Sequence, residues 1–221
     1  VCSSDLSPER SLPEQLTLAY DRVSSLRYGE NPHQTAEYYR EALPLSGSLT
    51  EAEQLNGKEL SYNNLADTDA CIALLKEFTE PTVVAVKHAN PCGVGSAEHL
   101  LTAWQKAFDA DPVSIYGGIV AFNRTVDLAV AEATKGVFLE VMVAPDYTPE
   151  ALQHLCERKN LRVLRLPAVA EPVPAAALAL KPIIGGLLVQ SQDNLLIDSQ
   201  NRRVVTTSQP DPALEPDLVF A

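Results

Sequence analysis

The feature that most constrains the fold is an alternation of short apolar runs with segments of helical periodicity between residues 65 and 166. The run at 82–86 is β-branched and has no polar face, which is typical of a strand buried on both sides of a sheet. Further strands are predicted at 119–122, 140–143 and 161–166, and helices at 65–78, 97–108, 126–133 and 149–157. This order predicts a layered α/β domain around a mostly parallel central sheet.

The flanking segments are less regular. Apolar residues alternate over 16–23, which predicts a strand before a turn-rich loop at 27–34, and 187–190 reads as another strand. Residues 167–182 are rich in Ala and Pro, which predicts a linker. Residues 1–11 fit no element, and our hypothesis is a tail of non-native origin. We therefore expect a tail at 1–11, an α/β subdomain at 12–166, and a linker with the incomplete start of a second subdomain at 167–221.

Composition limits the class of partner. Seventeen Lys and Arg against 29 Asp and Glu give a formal charge of −12, which is unfavourable for binding nucleic acid or an anionic membrane surface. The chain has no apolar stretch of the roughly 20 residues that a membrane span needs, and no secretory signal pattern. These features predict a soluble, cytoplasmic protein that binds small molecules, and a few local cations could still hold an anionic substrate.

The four cysteines are widely spaced and form no C-x-x-C pair. This spacing argues against a structural zinc site and against a disulfide framework. We expect reduced, mostly buried thiols and no bound metal.

The residues directly after the predicted strand at 82–86 are the strongest candidates for catalysis. In α/β sheets ligands gather beyond the carboxyl ends of strands, and Lys87 and His88 occupy this position here. An imidazole can transfer protons near neutral pH, and an adjacent ammonium can stabilise a developing oxyanion. Pro91 and Gly93 would hold a tight loop that presents the pair. The alternative is structural, with His88 hydrogen-bonded in a loop and Lys87 extended along the surface.

Three other places could contribute to a site. In the loop at 27–34, Arg27 offers guanidinium donors suited to a phosphate and Tyr28 adds a ring and a hydroxyl, although the loop could equally be a solvated turn. Gly117 and Gly118 would let backbone approach a ligand, or would serve tight packing between layers. Glu140 lies in an otherwise apolar strand and needs a partner, for which an ion pair at the strand end is the simplest account.

Five runs of sequence, taken in order, resemble the formyl-transfer domain of the bifunctional purine-synthesis family that joins aminoimidazole-carboxamide ribonucleotide (AICAR) transformylase to inosine monophosphate (IMP) cyclohydrolase. The resemblance covers nearly the whole chain from about residue 12. The runs are LRYGENPHQ at 26–34, LSYNNLAD at 60–67, VKHANPCG at 86–93, YGGIVAFN at 116–123 and GGLLVQ at 185–190.

The resemblance implies transfer of the formyl group of 10-formyltetrahydrofolate, the co-substrate, to the 5-amino group of AICAR. Under this assignment His88 would take the proton from the attacking amine, and Lys87 would stabilise charge in the transition state. The residues implied in nucleotide binding are Arg27, Tyr28, Asn64, His88, Gly117 and Glu140. Glu140 stands where some relatives have Asp, and Tyr116 replaces a more usual Phe.

The resemblance also implies a three-layer α/β/α fold similar to that of cytidine deaminases, and a homodimer in the full-length parent. The chain would be truncated at both ends relative to the family, with the cyclohydrolase domain missing before it and further substrate contacts missing after Ala221. We therefore expect little activity from this polypeptide alone.

Two alternatives come from other functional classes. One is a nucleotide-binding module without turnover, which the presence of Lys87 and His88 disfavours. The other is a zinc deaminase, which would need H-x-E followed later by P-C-x-x-C. Here Asn90 stands in place of the Glu and the second Cys is missing, so a metal-activated water is disfavoured.

Overall fold

The structure is a computed structural model that describes residues 12–43, 45–174, 177–193 and 203–214. The chain divides into two compact units between Pro172 and Val173. The predicted tail at 1–11 lies outside the described residues. Within the described residues no helix is both long and apolar enough to cross a membrane.

The described residues of the first unit form eight strands and four α-helices. The strands are β1 (Tyr20–Leu26), β2 (Ala36–Glu41), β3 (Glu53–Asn56), β4 (Thr82–Lys87), β5 (Asn90–Ser96), β6 (Gly118–Phe122), β7 (Leu139–Ala144) and β8 (Arg162–Arg165). The helices are α1 (Tyr62–Leu75), α2 (Leu100–Ala110), α3 (Leu128–Ala133) and α4 (Pro149–Cys156). All four predicted helices are present, and the strand predicted at 16–23 is shifted toward the loop, to 20–26.

Six of these strands form the central sheet, in the order β3-β8-β7-β6-β4-β5. Parallel pairing is confined to β6, β7 and β8, whereas β3, β4 and β5 each run antiparallel to their neighbours. The sheet is therefore mixed, and the expectation of a mostly parallel sheet holds only for its middle. The physical reason is local, because β4 and β5 are joined by two residues, a connection that only antiparallel neighbours permit.

Apolar cores lie on both faces of the sheet and give three layers. On one face α1 packs against β4 and β6, and its Cys71, Ile72 and Leu75 are buried there. On the other face α2, α3 and α4 enclose a larger core that contains Trp104 and Phe122. Buried strands carry apolar side chains toward both layers, which is why their sequences read as continuous apolar runs.

Strand β5 was not predicted, because its sequence Asn-Pro-Cys-Gly reads as a turn. Its two glycines have a packing role, since a Cβ at Gly93 or Gly95 would overlap backbone atoms of α2. The helix can therefore lie directly against this edge strand. Pro91, which lacks a backbone N–H, is tolerated because β5 is at the edge of the sheet.

The second unit contains a β-hairpin of β9 (Leu178–Ile183) and β10 (Gly186–Ser191). The strand predicted at 187–190 is confirmed. The linker predicted at 167–182 is wrong for its last residues, because 178–182 pair with β10 and the ladder accommodates Pro182.

Candidate active site

The pair Lys87 and His88 lies at the end of β4, as predicted, but at the opposite end of the sheet from the one expected. Strand β4 is antiparallel to β6, and Val86 pairs with Ile119 near the start of β6. The end of β4 therefore lies at the end of the sheet where the parallel strands β6 and β7 begin. Gly117 directly precedes β6 and Glu140 is the second residue of β7, so the topology gathers the candidate residues at this end of the sheet.

His88 and Ala89 form the two-residue turn between β4 and β5. Lys87 pairs with Asn90 across the hairpin, and both central residues have positive φ, 53° at His88 and 56° at Ala89. Two positive φ values are the pattern of a type I′ turn, for which Asn-Gly is the favoured sequence. The left-handed conformation with positive φ costs a residue that has a Cβ about 1–2 kcal/mol. The turn is thus strained, and it presents His88 to solvent.

Two side chains hold the turn in place. The carboxylate of Asp67, on α1, accepts a hydrogen bond of 2.8 Å from the Ala89 backbone N–H. From the hairpin itself, the Asn90 amide donates to the His88 carbonyl at 2.7 Å. Asp67 was not predicted as a site residue. Helical spacing offered a signal, because it lies three residues after Asn64 and so on a neighbouring part of the helix surface.

The Lys87 side chain turns toward the segment before β6. It is half-buried, and its ammonium donates a hydrogen bond of 2.6 Å to the Tyr116 carbonyl. Gly117 has a φ of 73°, and a Cβ placed on it would lie 3.8 Å from the Lys87 Nζ. A side chain at position 117 would therefore project toward the ammonium, and glycine leaves that side open.

Asn64 and Glu140 form the buried end of the site. The Asn64 side chain is 4% exposed, and its amide donates a hydrogen bond of 2.7 Å to the Glu140 carboxylate. The same side chain completes a capping box, because its oxygen accepts from the Ser61 backbone N–H while the Ser61 hydroxyl accepts from the Asn64 N–H. Ser61 is therefore the N-cap, and α1 begins three residues before the helix predicted at 65–78. The predicted ion pair at Glu140 is wrong, since its partner is a neutral amide.

Arg27 and Tyr28 open the loop after β1. Gly29 N–H donates to the Gln34 carbonyl at 2.9 Å, which closes the loop, and the Arg27 guanidinium lies 5.8 Å from the centre of the Tyr28 ring. Both residues line a cleft of about 680 Å³ that is lined by three cationic residues and one acidic residue, and by the Tyr38 hydroxyl, which is buried without a hydrogen-bond partner among the described residues. Its polar lining includes Arg27, Tyr28, Tyr38, Lys58, Glu59, Ser61 and Arg162.

The first turns of α1 connect these parts. Asn63 donates to the Glu30 carbonyl of the loop at 3.4 Å, Asn64 reaches Glu140, and Asp67 reaches the His88 turn. The structure thus brings Lys87, His88, Asn64 and Glu140 to one end of the sheet, where β6 and β7 begin. The cleft with Arg27 and Tyr28 adjoins this end of the sheet through Ser61 and Leu65 of the same helical segment.

The zinc-deaminase alternative has no donor set in the part of the chain that the structure describes, where no three His, Cys, Asp or Glu side chains converge. The Cys92 thiol donates instead toward the Ala85 carbonyl at 3.5 Å. Its partial burial, and then the nearby Asp111 carboxylate, raise the pKa of this thiol and favour the protonated form, whereas metal ligation needs the thiolate.

Comparison with known proteins identifies the family. A family model described as AICARFT/IMPCHase bienzyme matches residues 2–221. The chain belongs to this family. The AICARFT/IMPCHase resemblance inferred from the five sequence runs is thereby confirmed.

Curated members of this bienzyme family are similar over nearly the whole chain. A protein of Enterococcus faecalis named bifunctional purine biosynthesis protein PurH is 51% identical over 209 residues, which are 95% of this chain and 40% of that protein. Proteins with the same name from Ruminiclostridium cellulolyticum and Streptococcus pneumoniae are 48% and 50% identical, over 95% and 96% of this chain. The chain spans about two fifths of the length of these relatives, 41% of each of the latter two.

Proposed function

We propose that this chain forms the part of an AICAR transformylase site that binds the nucleotide and transfers the proton. One observation carries the proposal: the His88 turn, the Lys87 ammonium and the Gly117 backbone lie together at one end of the sheet, in a chain of the bienzyme family. The substrates proposed are AICAR and 10-formyltetrahydrofolate, and the products are formamido-AICAR and tetrahydrofolate.

The reaction needs one proton to move. The 5-amino nitrogen of AICAR forms a bond to the formyl carbon, the bond from that carbon to the folate N10 breaks, and the proton lost by the amine is balanced by the one gained at N10. An exposed imidazole on a fixed turn can accept the first proton, which makes His88 the general base of the proposal. Lys87, next to it, supplies positive charge for the oxygen that becomes anionic on the formyl carbon.

The cleft beside α1 supports a nucleotide as substrate. Arg27, Lys58 and Arg162 line it and provide cationic donors of the kind that bind a phosphate. The Tyr38 hydroxyl is buried there without a hydrogen-bond partner among the described residues, and a ligand oxygen would satisfy it. We propose that Arg27 and Tyr28 contact the ribose phosphate, and that Asn64, Glu140 and Gly117 contact the base end.

The wider setting is proposed from the family resemblance and the sequence features. A protein that contains this segment would also close the ring to IMP, would act as a homodimer, and would work in the cytoplasm. The 221-residue chain alone would show no useful formyl transfer, because it spans about two fifths of the relatives. We therefore place the kinetic test in a hybrid protein, in which the 209 matched residues replace the corresponding part of the Enterococcus faecalis relative.

The test is His88→Ala in this hybrid, with His99→Ala as the matched control. His99 is exposed at the start of α2 and makes no capping hydrogen bond with its side chain. Because general acid–base catalysis contributes about 10²–10⁴-fold, His88→Ala should lower formyl transfer at least 100-fold. Ring closure to IMP should stay within twofold of wild type, as should both activities of the control. Unchanged formyl transfer in His88→Ala would refute the assignment.

A further inference from the structure

Helix α1 makes a contact to the His88 turn that none of the roles proposed so far requires. The half-buried Asp67 carboxylate accepts the Ala89 N–H at 2.8 Å, and Ala89 is the residue of the turn with a φ of 56°. Alanine has no side-chain hydrogen bond with which to support such a conformation locally. The support therefore comes from elsewhere in the fold.

We propose that Asp67 is a positioning residue whose carboxylate fixes the strained turn and thereby sets where His88 stands relative to the nucleotide contacts on α1. The inference rests on the proposed function, in which His88 transfers the proton. Asp67 does not itself touch the reacting atoms.

The two supports of the turn differ in what they fix. The Asn90 amide bonds to the His88 carbonyl from within the same hairpin, so it moves with the turn. Asp67 belongs to another element, and it shares the first turns of α1 with Asn64, whose amide holds Glu140. The Asp67 bond therefore fixes the distance between the turn and the buried end of the site, which the Asn90 bond cannot do.

The strain makes the idea testable, because glycine adopts positive φ at no steric cost. If Asp67 acts by holding Ala89 in this conformation, then Ala89→Gly should relieve the need for the carboxylate. If Asp67 only stabilises α1 or the domain, the same glycine should change nothing.

The first experiment uses the 221-residue chain and measures hydrogen exchange of the Ala89 amide by NMR. Asp67→Ala should speed exchange at this amide about tenfold or more, because its acceptor is removed. Asp67→Asn keeps an oxygen acceptor and should retain most of the protection. Asp69→Ala removes the same charge from an exposed position two residues along the helix and should leave exchange at Ala89 unchanged. Unchanged exchange in Asp67→Ala would overturn the proposal.

The second experiment measures formyl transfer in the hybrid protein. Asp67→Ala should lower kcat about tenfold, which corresponds to about 1.4 kcal/mol of barrier, while the KM for AICAR stays within twofold. Asp67→Asn should lie between this variant and wild type. The double variant Asp67→Ala with Ala89→Gly should recover at least half of the lost kcat. A larger KM with unchanged kcat, or no recovery with glycine, would overturn the positioning role.

Failure of the proposed function has a different signature. If the hybrid keeps its formyl transfer in His88→Ala, then His88 is not the base, whatever the Ala89 amide shows. If His88→Ala is inactive but Asp67→Ala keeps full kcat, the function stands and the role of Asp67 is refuted. If Asp67→Ala does not fold, the test uses Asp67→Asn and the single variant Ala89→Gly. We expect kcat to be measurably lower in Asp67→Asn and nearly unchanged in Ala89→Gly. The proposal would be refuted if Asp67→Asn lost no kcat while Ala89→Gly did.

Discussion

Replacing Gly117 with Ala probes the backbone at the point where the segment before β6 faces the Lys87 ammonium. The φ of Gly117 is 73°, in the left-handed region that an L side chain adopts only with strain. The space around it is open, because an added Cβ would have its nearest neighbours at 3.7 Å, on Phe138, and at 3.8 Å, on Lys87. The substitution therefore introduces backbone strain without a steric clash.

The magnitude follows from two opposing terms. The left-handed backbone conformation destabilises Ala by about 1–2 kcal/mol. Replacing Gly also lowers the conformational entropy of the unfolded chain, which stabilises the fold by about 0.4–1 kcal/mol. The net loss of stability should be about 1 kcal/mol, or a Tm lower by about 2–4 °C in a unit of this size. Gly136 is the matched control, since it does not have positive φ and an added Cβ would meet nothing within 4 Å. Gly136→Ala should gain about 0.4–1 kcal/mol, so the two variants should differ by about the strain alone.

The assay is urea unfolding of the 221-residue chain, followed by the fluorescence of Trp104. This is the only tryptophan, it is 1% exposed, and it lies in the larger core of the first unit, so it reports unfolding there. In the hybrid protein, isothermal calorimetry should show that Gly117→Ala weakens AICAR binding at least tenfold, because the new methyl group projects toward the Lys87 side of the site. Gly136→Ala should bind AICAR as wild type does.

Two results would refute this reasoning separately. If Gly117→Ala were as stable as Gly136→Ala, the left-handed conformation at position 117 would be wrong. If stability fell as expected but AICAR bound normally, the backbone conformation would stand and Gly117 would not adjoin the nucleotide.

Two further predictions concern α1. Ser61→Ala removes the cap that accepts the Asn64 N–H at 3.1 Å, so urea unfolding should show a loss of about 1 kcal/mol, and an unchanged midpoint would contradict the capping box. The Cys71 thiol is fully buried, which raises its pKa well above the ordinary value. Iodoacetamide at pH 8 should therefore modify the half-buried Cys156 before Cys71, and Cys71 only in urea. Mass spectrometry of the digested chain compares these two thiols, and labelling of Cys71 without urea would contradict its burial.

The sequence was informative where a pattern has a single physical cause. The run at 82–86 reads as a strand because both of its faces are buried, and the four helices show an apolar face at helical spacing. The pattern does not carry strand direction, and the expected parallel sheet applied the rule for strand–helix–strand units to β4, α2 and β6. Strand β5, which was not predicted, follows β4 after only two residues and reverses the chain, so β4 runs antiparallel to β6. Strand β5 escaped prediction because its Pro and Gly residues serve an edge position and close packing against α2.

The candidate site was predicted in part for a reason that the structure corrects. Lys87 and His88 were selected because ligands gather beyond the carboxyl ends of strands, and they do lie at the carboxyl end of β4, with Lys87 as its last residue. Strand β4 is antiparallel to β6, however, so the pair lies where the parallel strands begin. Asp67 was missed because its partner is a backbone N–H 22 residues away, and its helical spacing from Asn64 indicates a shared part of the helix surface but not this partner.

The antiparallel direction of β4 is what allows one helix to organise the whole site. The first turns of α1 lie at the end of the sheet where β7 begins, as the hydrogen bond from Asn64 to Glu140 shows. Had β4 run parallel to β6, its end and the His88 turn would lie at the opposite end of the sheet, beyond reach of Asp67. The antiparallel strand β4 thus brings the strained turn and His88 to the end of α1 that contacts both Glu140 and the loop of Arg27.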